Sequence, residues 1–103
     1  TGSAAVETAH RLLALFETDT ETIQDVGRSA GNILRVFHTL RRRPVATIDY
    51  LADASGVSYA TAVRAVRTLT EIGLLRELTG RRRGRVFAYD RYLVILSEGA
   101  QPL

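Results

Sequence analysis

Residues 47–73, TIDYLADASGVSYATAVRAVRTLTEIG, decide the fold. Thr47 is a preferred N-cap residue and predicts a short helix over residues 48–54, which a Ser-Gly pair ends. Ser58 is the N-cap of a longer helix, and Gly73 follows that helix where a left-handed residue is expected. A helix, a tight turn containing glycine and a second helix form the signature of a helix-turn-helix unit.

The longer helix, over residues 59–72, has an inward and an outward face. Ala62, Val66 and Leu69 recur at steps of four and three, so they lie on one stripe that faces the core. Val57, in the turn, is placed to fill the angle between the two helices. The residues on the outward face are Tyr59, Ala60, Thr61, Val63, Arg64 and Arg67.

The pattern of apolar residues changes after this unit. Residues 74–79 and 85–89 are extended runs on either side of GRRRG, residues 80–84, a basic loop bracketed by glycines. Two extended runs around a glycine-containing loop predict a β-hairpin with a long tip. A hairpin after a helix-turn-helix unit is the wing of a winged helix.

A last short helix follows the hairpin. Asp90 is a suitable N-cap for it, and Leu93 and Leu96 are spaced to return to the core. Gly99 and Pro102 then close the helix.

A long helix is predicted ahead of these elements, because apolar residues recur on one stripe about twenty residues long whose other faces are acidic and polar. A second helix follows, for which Ser29 is a possible N-cap. It ends in the cations 41–43 before Pro44, which is a helix stop signal. The stripe of the long helix consists of Val6, Ala9, Leu12, Leu13, Phe16, Ile23 and Val26.

These elements predict one mainly α domain with a small β-hairpin, a winged helix-turn-helix preceded by a long N-terminal helix. We interpret residues 1–3 as an expression-vector remnant and residues 4–28 as a linker or dimerisation helix. Residues 29–99 are the winged helix-turn-helix domain, and residues 100–103 are a tail.

The composition limits the chemistry. The 103 residues include no Cys, Met or Trp, which excludes a disulfide, a cysteine-ligated zinc, an iron–sulfur cluster and a thiol nucleophile. No apolar run approaches the roughly 20 residues of a membrane span, and nothing at the start of the chain resembles a signal peptide. We therefore expect a soluble cytoplasmic protein with no membrane partner.

Charge is distributed unevenly along the chain. Residues 1–27 carry one Arg against five acids, a net −4, whereas residues 28–103 carry 13 Arg against six acids, a net +7. The clustered Arg of the hairpin tip repel one another, and a polyanion is the simplest reason to keep them together. Arg64 is placed to bond guanine O6 and N7 in a major groove, and Ser58 to offer its hydroxyl and N–H groups to a phosphate. The predicted contacts to double-stranded DNA are Ser58, Tyr59, Thr61, Arg64, Arg67, Arg81, Arg82, Arg83 and Arg85.

Each of these features also has a plainer interpretation. Arg64 is equally explained as a solvated residue of an amphipathic helix, and a basic loop can simply be soluble or paired with acids elsewhere. His10 and His38 lack a second ligand type at metal spacing, and the carboxylate pairs Asp49/Asp53 and Glu17/Glu21 resemble solvated surfaces more than general acid–base pairs. We predict no metal, cofactor, small-molecule ligand or catalytic residue, and hence no enzyme activity of this chain.

Several motifs of the chain recur together in a known family. They are Pro44-Val45, Ile48, Leu51-Ala52, Gly56-Val57-Ser58-Tyr59, Thr61-Ala62, Arg64-Ala65, Leu69, Gly73-Leu74-Leu75, Leu78-Thr79-Gly80-Arg81-Arg82-Arg83 and Arg85-Val86-Phe87. In these motifs the sequence resembles the C-terminal winged helix of Fic-family proteins, and with the acidic first helix the resemblance covers residues 4–100. The hairpin is its most specific part, because the turn, the Ser cap and the Gly-Leu-Leu motif are shared with many winged-helix regulators.

The resemblance implies a larger parent protein. Fic-family enzymes transfer AMP from ATP to a protein hydroxyl with a His-Pro-Phe-x-Asp-Gly-Asn-Gly-Arg loop, which these 103 residues lack. The chain would then be the C-terminal domain of such an adenylyltransferase and would bind DNA. The alternative is a protein-interaction module that forms a homodimer through the N-terminal helix without binding DNA. Val63 favours the alternative, because the family often has a polar residue at this outward position and an exposed Val suits a protein partner.

Overall fold

The computed structural model describes residues 2–100, which form five helices and a three-stranded sheet. This mainly helical architecture with a small antiparallel sheet confirms the predicted winged helix fold. Thr1 and residues 101–103 lie outside the described range, and with them the predicted stop at Pro102. The elements are α1 (Gly2–Gln24), α2 (Ala30–Arg42), β1 (Val45–Thr47), α3 (Ile48–Ser55), α4 (Tyr59–Glu71), β2 (Arg76–Glu77), β3 (Val86–Ala88) and α5 (Asp90–Ala100).

The helix-turn-helix unit consists of α3, the turn and α4. Thr47 Oγ1 accepts a hydrogen bond from the Tyr50 amide at 3.1 Å, and Ser58 Oγ accepts one from the Thr61 amide at 3.1 Å. Both predicted N-caps are therefore confirmed. Gly56 ends α3 in the left-handed conformation. Each helix begins where its cap places it and extends to within one residue of its predicted end.

The hydrophobic core lies between α2, α3 and α4. Ala62, Val66 and Leu69 of α4 are buried, as their spacing predicts, and the half-buried Val57 packs against the core from the turn. The outward face of α4 is thereby fixed by burial of its opposite face. The buried apolar residues of α2 and α3 are Ile33, Val36, Phe37, Leu40, Ile48, Leu51 and Ala52.

The sheet has the strand order β1-β3-β2, with antiparallel pairing throughout. Phe87 of β3 lies opposite Ala46 on one side and Glu77 on the other. The sequence does not predict β1, because a three-residue strand is too short to show an alternating pattern. β2 and β3 are shorter than the predicted extended runs. We call β2, β3 and the loop between them the wing.

Of the two other predicted caps, Ser29 occupies the N-cap position of α2 without a capping hydrogen bond, and Asp90 is not a cap. Ser29 precedes α2 in a helical conformation and makes no side-chain cap hydrogen bond. Asp90 is the first residue of α5, and its carboxylate accepts hydrogen bonds from Arg76 Nε at 2.5 Å and Arg76 Nη2 at 3.2 Å. The hydrogen bond from Arg76 lowers the pKa of Asp90. The acid therefore ties the first strand of the wing to the start of α5.

The C-terminal helix packs through other residues than predicted. Ile95 is buried and Leu93 half-buried, whereas Leu96 stays 39% exposed. Gly99 does not close α5, which continues beyond it. A β-carbon at Gly99 would collide with the Thr8 side chain of α1, so the glycine allows α5 to lie close against α1.

Asp19 is buried, although its place on an acidic helix predicts exposure. Its side chain is 1% exposed and accepts a hydrogen bond from the Tyr89 hydroxyl. Arg91 Nη1 lies 3.7 Å from the other carboxylate oxygen. Burial, and then the neighbouring Asp19 carboxylate, raise the pKa of Tyr89. The contact joins α1 to the end of β3, where the rings of Phe16 and Phe37 pack against Tyr89.

Replacing Tyr89 tests this contact. Tyr89→Phe removes a hydrogen bond to a buried carboxylate, so we expect the free energy of unfolding in urea to fall by about 1–3 kcal/mol at neutral pH. The folded protein keeps the Tyr89 proton while the unfolded chain releases it above pH ~10, so wild-type stability falls there.

The difference in free energy of unfolding between the wild type and Tyr89→Phe should therefore narrow above pH ~10. Tyr92→Phe is the matched control, because among residues 2–100 the Tyr92 hydroxyl makes no side-chain hydrogen bond. Equal losses in the two variants would contradict the assignment of the effect to Asp19.

Candidate nucleic-acid interface

The outer face of α4 carries the side chains predicted to contact DNA. Tyr59 is 56% exposed, and Arg64 and Arg67 are exposed one helical turn apart. Thr61, which lies between Tyr59 and Arg64 on the same helix, is half-buried. The structure thus confirms that the two Arg face outward, and their contact with a nucleic acid stays a prediction.

The hydroxyls of α4 bond to one another. Besides capping the helix, Ser58 Oγ donates to Thr61 Oγ1 at 2.9 Å. Arg64 Nη2 also donates to Thr61 Oγ1, at 3.2 Å. Ser58 and Thr61 were both predicted to bond DNA, but their hydroxyl oxygens already have partners within the helix. This spacing of three residues along one helix face is the signal that could have shown it.

Val63 does not face outward, contrary to the sequence prediction. It is half-buried, packs against the core and lines a cavity with Ile48 and Phe87. The reason is that the wing folds back against this side of α4, a tertiary contact that the period of α4 alone does not show. The exposed Val that favoured a protein partner is therefore absent from this surface.

The predicted wing tip is an exposed basic loop. Arg81, Arg82 and Arg83 are all exposed, and Arg81 Nη2 donates to the Gly84 carbonyl oxygen at 3.4 Å. Gly80 and Gly84 have φ of +63° and +61°, a left-handed conformation that a side chain disfavours, which explains why glycines bracket the three cations. The loop presents its charges to solvent beyond the end of the short strand ladder.

Arg85 differs from the other three Arg of the predicted wing cluster. Its guanidinium lies 5.8 Å from the centre of the Phe87 ring, and its Nη1 lies 4.0 Å from Glu77 Oε1 across the strands. Arg85 is half-buried where the wing-tip loop enters β3. Its guanidinium therefore faces residues of the wing while 38% of the side chain stays exposed, and its contact with DNA stays a prediction.

Two grooves border the outer face of α4. One, of about 260 Å³, separates α4 from the start of α2, and we call it the α2–α4 groove. The other, of about 210 Å³, separates α4 from the wing, so the two elements lie side by side. Its charged lining residues are Arg67, Glu71, Glu77 and Arg85. The sequence does not predict the first groove, which depends on how α2 crosses α4. Its lining residues are Ser29, Asn32, Ile33, Thr61, Arg64, Ala65, Arg67 and Thr68.

Within residues 2–100, no group of three His, Asp or Glu side chains is arranged to hold a metal ion. None of the described helices has the length and apolar character needed to cross a membrane. His38 Nδ1 lies 3.5 Å from Arg41 Nη1, at the end of α2.

One family matches the sequence of this region. Residues 29–79, which run from the start of α2 through β2, match the model of the IclR helix-turn-helix domain. No curated protein matches the chain. The family match covers the helix-turn-helix unit and the first strand of the wing.

Solved structures of three proteins share the fold. A MarR family transcriptional regulator from Silicibacter pomeroyi has a TM-score of 0.55 at 20% identity, over 87% of this chain and 62% of its own. RV1404 from Mycobacterium tuberculosis has a TM-score of 0.53 at 21% identity, over 94% of this chain and 67% of its own. A mutant MarR from E. coli complexed with operator DNA has a TM-score of 0.51 at 15% identity, over 87% of this chain and 69% of its own. This chain thus spans less than two thirds of the Silicibacter regulator.

The cap of α4 offers a stability test. Ser58→Ala removes the acceptor of the Thr61 amide, so we expect the free energy of unfolding to fall by about 0.5–2 kcal/mol, measured by urea denaturation. Ser58→Gly should cost only a few tenths of a kcal/mol, since glycine is itself tolerated as an N-cap. A neutral Ser58→Ala variant would show that the hydroxyl does not stabilise the start of α4.

Proposed function

We propose that this chain, which contains a winged helix-turn-helix domain similar to that of IclR, is the double-stranded-DNA-binding module of a transcription regulator. The observation that carries the proposal is the exposure of Arg on both elements that such a domain can present to DNA. Arg64 and Arg67 lie on the outer face of α4, and Arg81, Arg82 and Arg83 lie on the wing tip. Residues of both elements line the groove between α4 and the wing, so the two elements lie side by side.

The two elements suit different parts of a duplex. The N-terminal half of α4 has the size and exposure to enter a major groove, where Arg64 can donate to guanine O6 and N7. The wing tip suits the phosphate backbone or a narrow minor groove, which attracts Arg strongly. Arg64 would thus supply sequence preference, and the wing would supply affinity that depends on salt.

The comparisons support this function at the level of the fold. The similar structure from E. coli was solved in complex with operator DNA, and the similar protein from Silicibacter pomeroyi is described as a transcriptional regulator. None of these similar proteins is described as an enzyme, which agrees with the prediction of no enzyme activity.

The finer assignment, to the C-terminal domain of a Fic-type adenylyltransferase, stays a prediction. The comparisons do not support it, because the matching family model is that of the IclR helix-turn-helix domain and two of the named structures are of MarR proteins. The sequence of the intact open reading frame tests it directly. A His-Pro-Phe-x-Asp-Gly-Asn-Gly-Arg loop upstream of this domain would establish the association, and an open reading frame without that loop would contradict it.

Self-association through the N-terminal helix is a second part of the proposal. α1 packs side by side with α5, and Arg11 Nη2 lies 2.6 Å from Glu98 Oε1 between them. Both helices nevertheless expose large apolar side chains, which suits a surface shared by two copies. The most exposed of these are Val6 (55%), Leu13 (57%) and Val94 (53%).

Salt dependence tests DNA binding. We expect the affinity for a fluorescein-labelled mixed-sequence duplex, measured by anisotropy, to fall linearly on a plot of log affinity against log salt. Changing Arg81, Arg82 and Arg83 together to Ala should reduce the steepness of that line by about 2.7 per bound protomer, since each neutralised phosphate contributes about 0.9.

The control for this experiment removes the same charge elsewhere. Arg35, Arg42 and Arg43 are exposed on α2 and at its C-terminal end, outside the wing, and their joint replacement by Ala should leave the salt slope nearly unchanged. Equal effects of the two triple variants would show that net charge, not the wing, governs binding. Absence of binding at low salt would contradict the proposal and favour the protein-interaction alternative.

Sedimentation equilibrium tests the dimer. Leu13→Glu with Val94→Glu should raise the dissociation constant of self-association at least about tenfold, because each charge would have to be buried between the copies. Thr18→Glu is the matched control, since Thr18 is exposed on the same helix. A wild-type protein that stays monomeric at high micromolar concentration would overturn this part of the proposal.

A further inference from the structure

Thr61 is the residue on which two side chains of α4 converge. Its Oγ1 accepts hydrogen bonds from Ser58 Oγ at 2.9 Å and from Arg64 Nη2 at 3.2 Å. Accepting two hydrogen bonds uses both lone pairs of a hydroxyl oxygen. Thr61 is therefore poorly placed to accept a further bond from a base edge, although the sequence predicts it as a DNA contact.

We infer that Thr61 is a positioning residue that holds the guanidinium of Arg64 ready for guanine. The inference rests on the proposed function, DNA binding through α4. Arg64 is exposed and long, so an unrestrained side chain would lose rotamer freedom on binding a base. The bond to Thr61 restricts that side chain before DNA arrives, which lowers the entropy lost on binding.

The hold leaves Arg64 able to bind. Thr61 occupies one N–H of a guanidinium that has several, and a bidentate contact to guanine O6 and N7 needs two of those that are left. Thr61 itself is fixed on both sides. Its amide donates to Ser58 Oγ at 3.1 Å, and a β-branched side chain on a helix has few rotamers. The cap of α4 thus sets the direction of Thr61, and Thr61 sets the direction of Arg64.

The other Arg of this surface lack an equivalent hold on α4. Within the described residues, Arg67 makes no side-chain hydrogen bond, although it lines the same α2–α4 groove. Arg81 bonds only to a carbonyl oxygen of its own loop. Arg64 is therefore the Arg suited to contact a base, and Arg67 and Arg81 are suited to contact phosphates. The positions of phosphates vary less with DNA sequence than the edges of the bases do.

The experiment begins with the wild-type protein and a pool of randomised duplexes, from which its preferred site is selected. Affinities are then measured by anisotropy for that site and for copies in which each guanine in turn is replaced by 7-deazaguanine. This base lacks the N7 acceptor and keeps its pairing. We expect one guanine whose replacement weakens wild-type binding and has no effect on an Arg64→Ala variant.

Variants of Thr61 then test the hold. Thr61→Val keeps the shape and loses the hydroxyl, so the preference for that guanine should fall by about 2- to 10-fold, while the salt slope stays as in the wild type because no charge changes. Thr61→Ser restores the hydroxyl and should restore the preference. Thr68→Val is the matched control, since Thr68 lines the same groove, and it should leave the preference unchanged.

Thermal unfolding of each variant shows whether it is folded. If Thr61→Val is not folded, Thr61→Ala takes its place, because Ala also lacks the hydroxyl and favours a helix. Full preference in the folded variant lacking the hydroxyl would overturn the inference, as would a loss in Thr61→Ser equal to that in Thr61→Val. A selected site without a sensitive guanine would overturn it too. Failure of the wild-type protein to select any duplex would instead contradict the proposed function itself.

Discussion

The hydrogen bond between the buried Asp19 carboxylate and the Tyr89 hydroxyl is the constraint on which the arrangement of this domain depends. A carboxylate taken out of water is costly unless it is paired, so α1 has to lie where Tyr89 can reach it. Tyr89 also donates its backbone N–H to the Pro44 carbonyl at 2.8 Å, next to β1. One residue thus fixes the long first helix, the strand ahead of the helix-turn-helix unit and the base of the wing with respect to one another.

Local signals in the sequence account for most of the fold. Thr47 and Ser58 cap their helices as predicted, because an N-cap depends on a side chain and an amide three residues apart. Ser29 makes no capping hydrogen bond because its backbone is helical where a cap needs an extended one. Asp90 does not cap α5 because its carboxylate accepts from Arg76, a tertiary contact. The buried Asp19 could not be predicted for the same reason, since its partner lies 70 residues away.

In the candidate site too, local features could be predicted from the sequence and tertiary contacts could not. Exposure of the Arg on α4 and at the wing tip follows from helix period and from the bracketing glycines, both of which can be predicted from sequence. Whether a side chain is free to bind cannot be predicted from the sequence, because it depends on which residues lie next to that side chain in space. Arg85 lies over Phe87 beside Glu77 of the adjacent strand, and Val63 is half-buried in the groove between α4 and the wing, although both occupy positions that the sequence pattern predicts to be open.

The exposed cations of α4 and the wing are all Arg, and the sequence contains no Lys. A guanidinium stays protonated throughout the physiological pH range and is not a substrate for lysine acetylation. The charge of this surface is therefore constant: neither acidification nor an acetyltransferase can neutralise it. If this surface binds DNA as proposed, lysine acetylation is closed to its regulation, and an effector that changes the angle of the wing is a route that stays open.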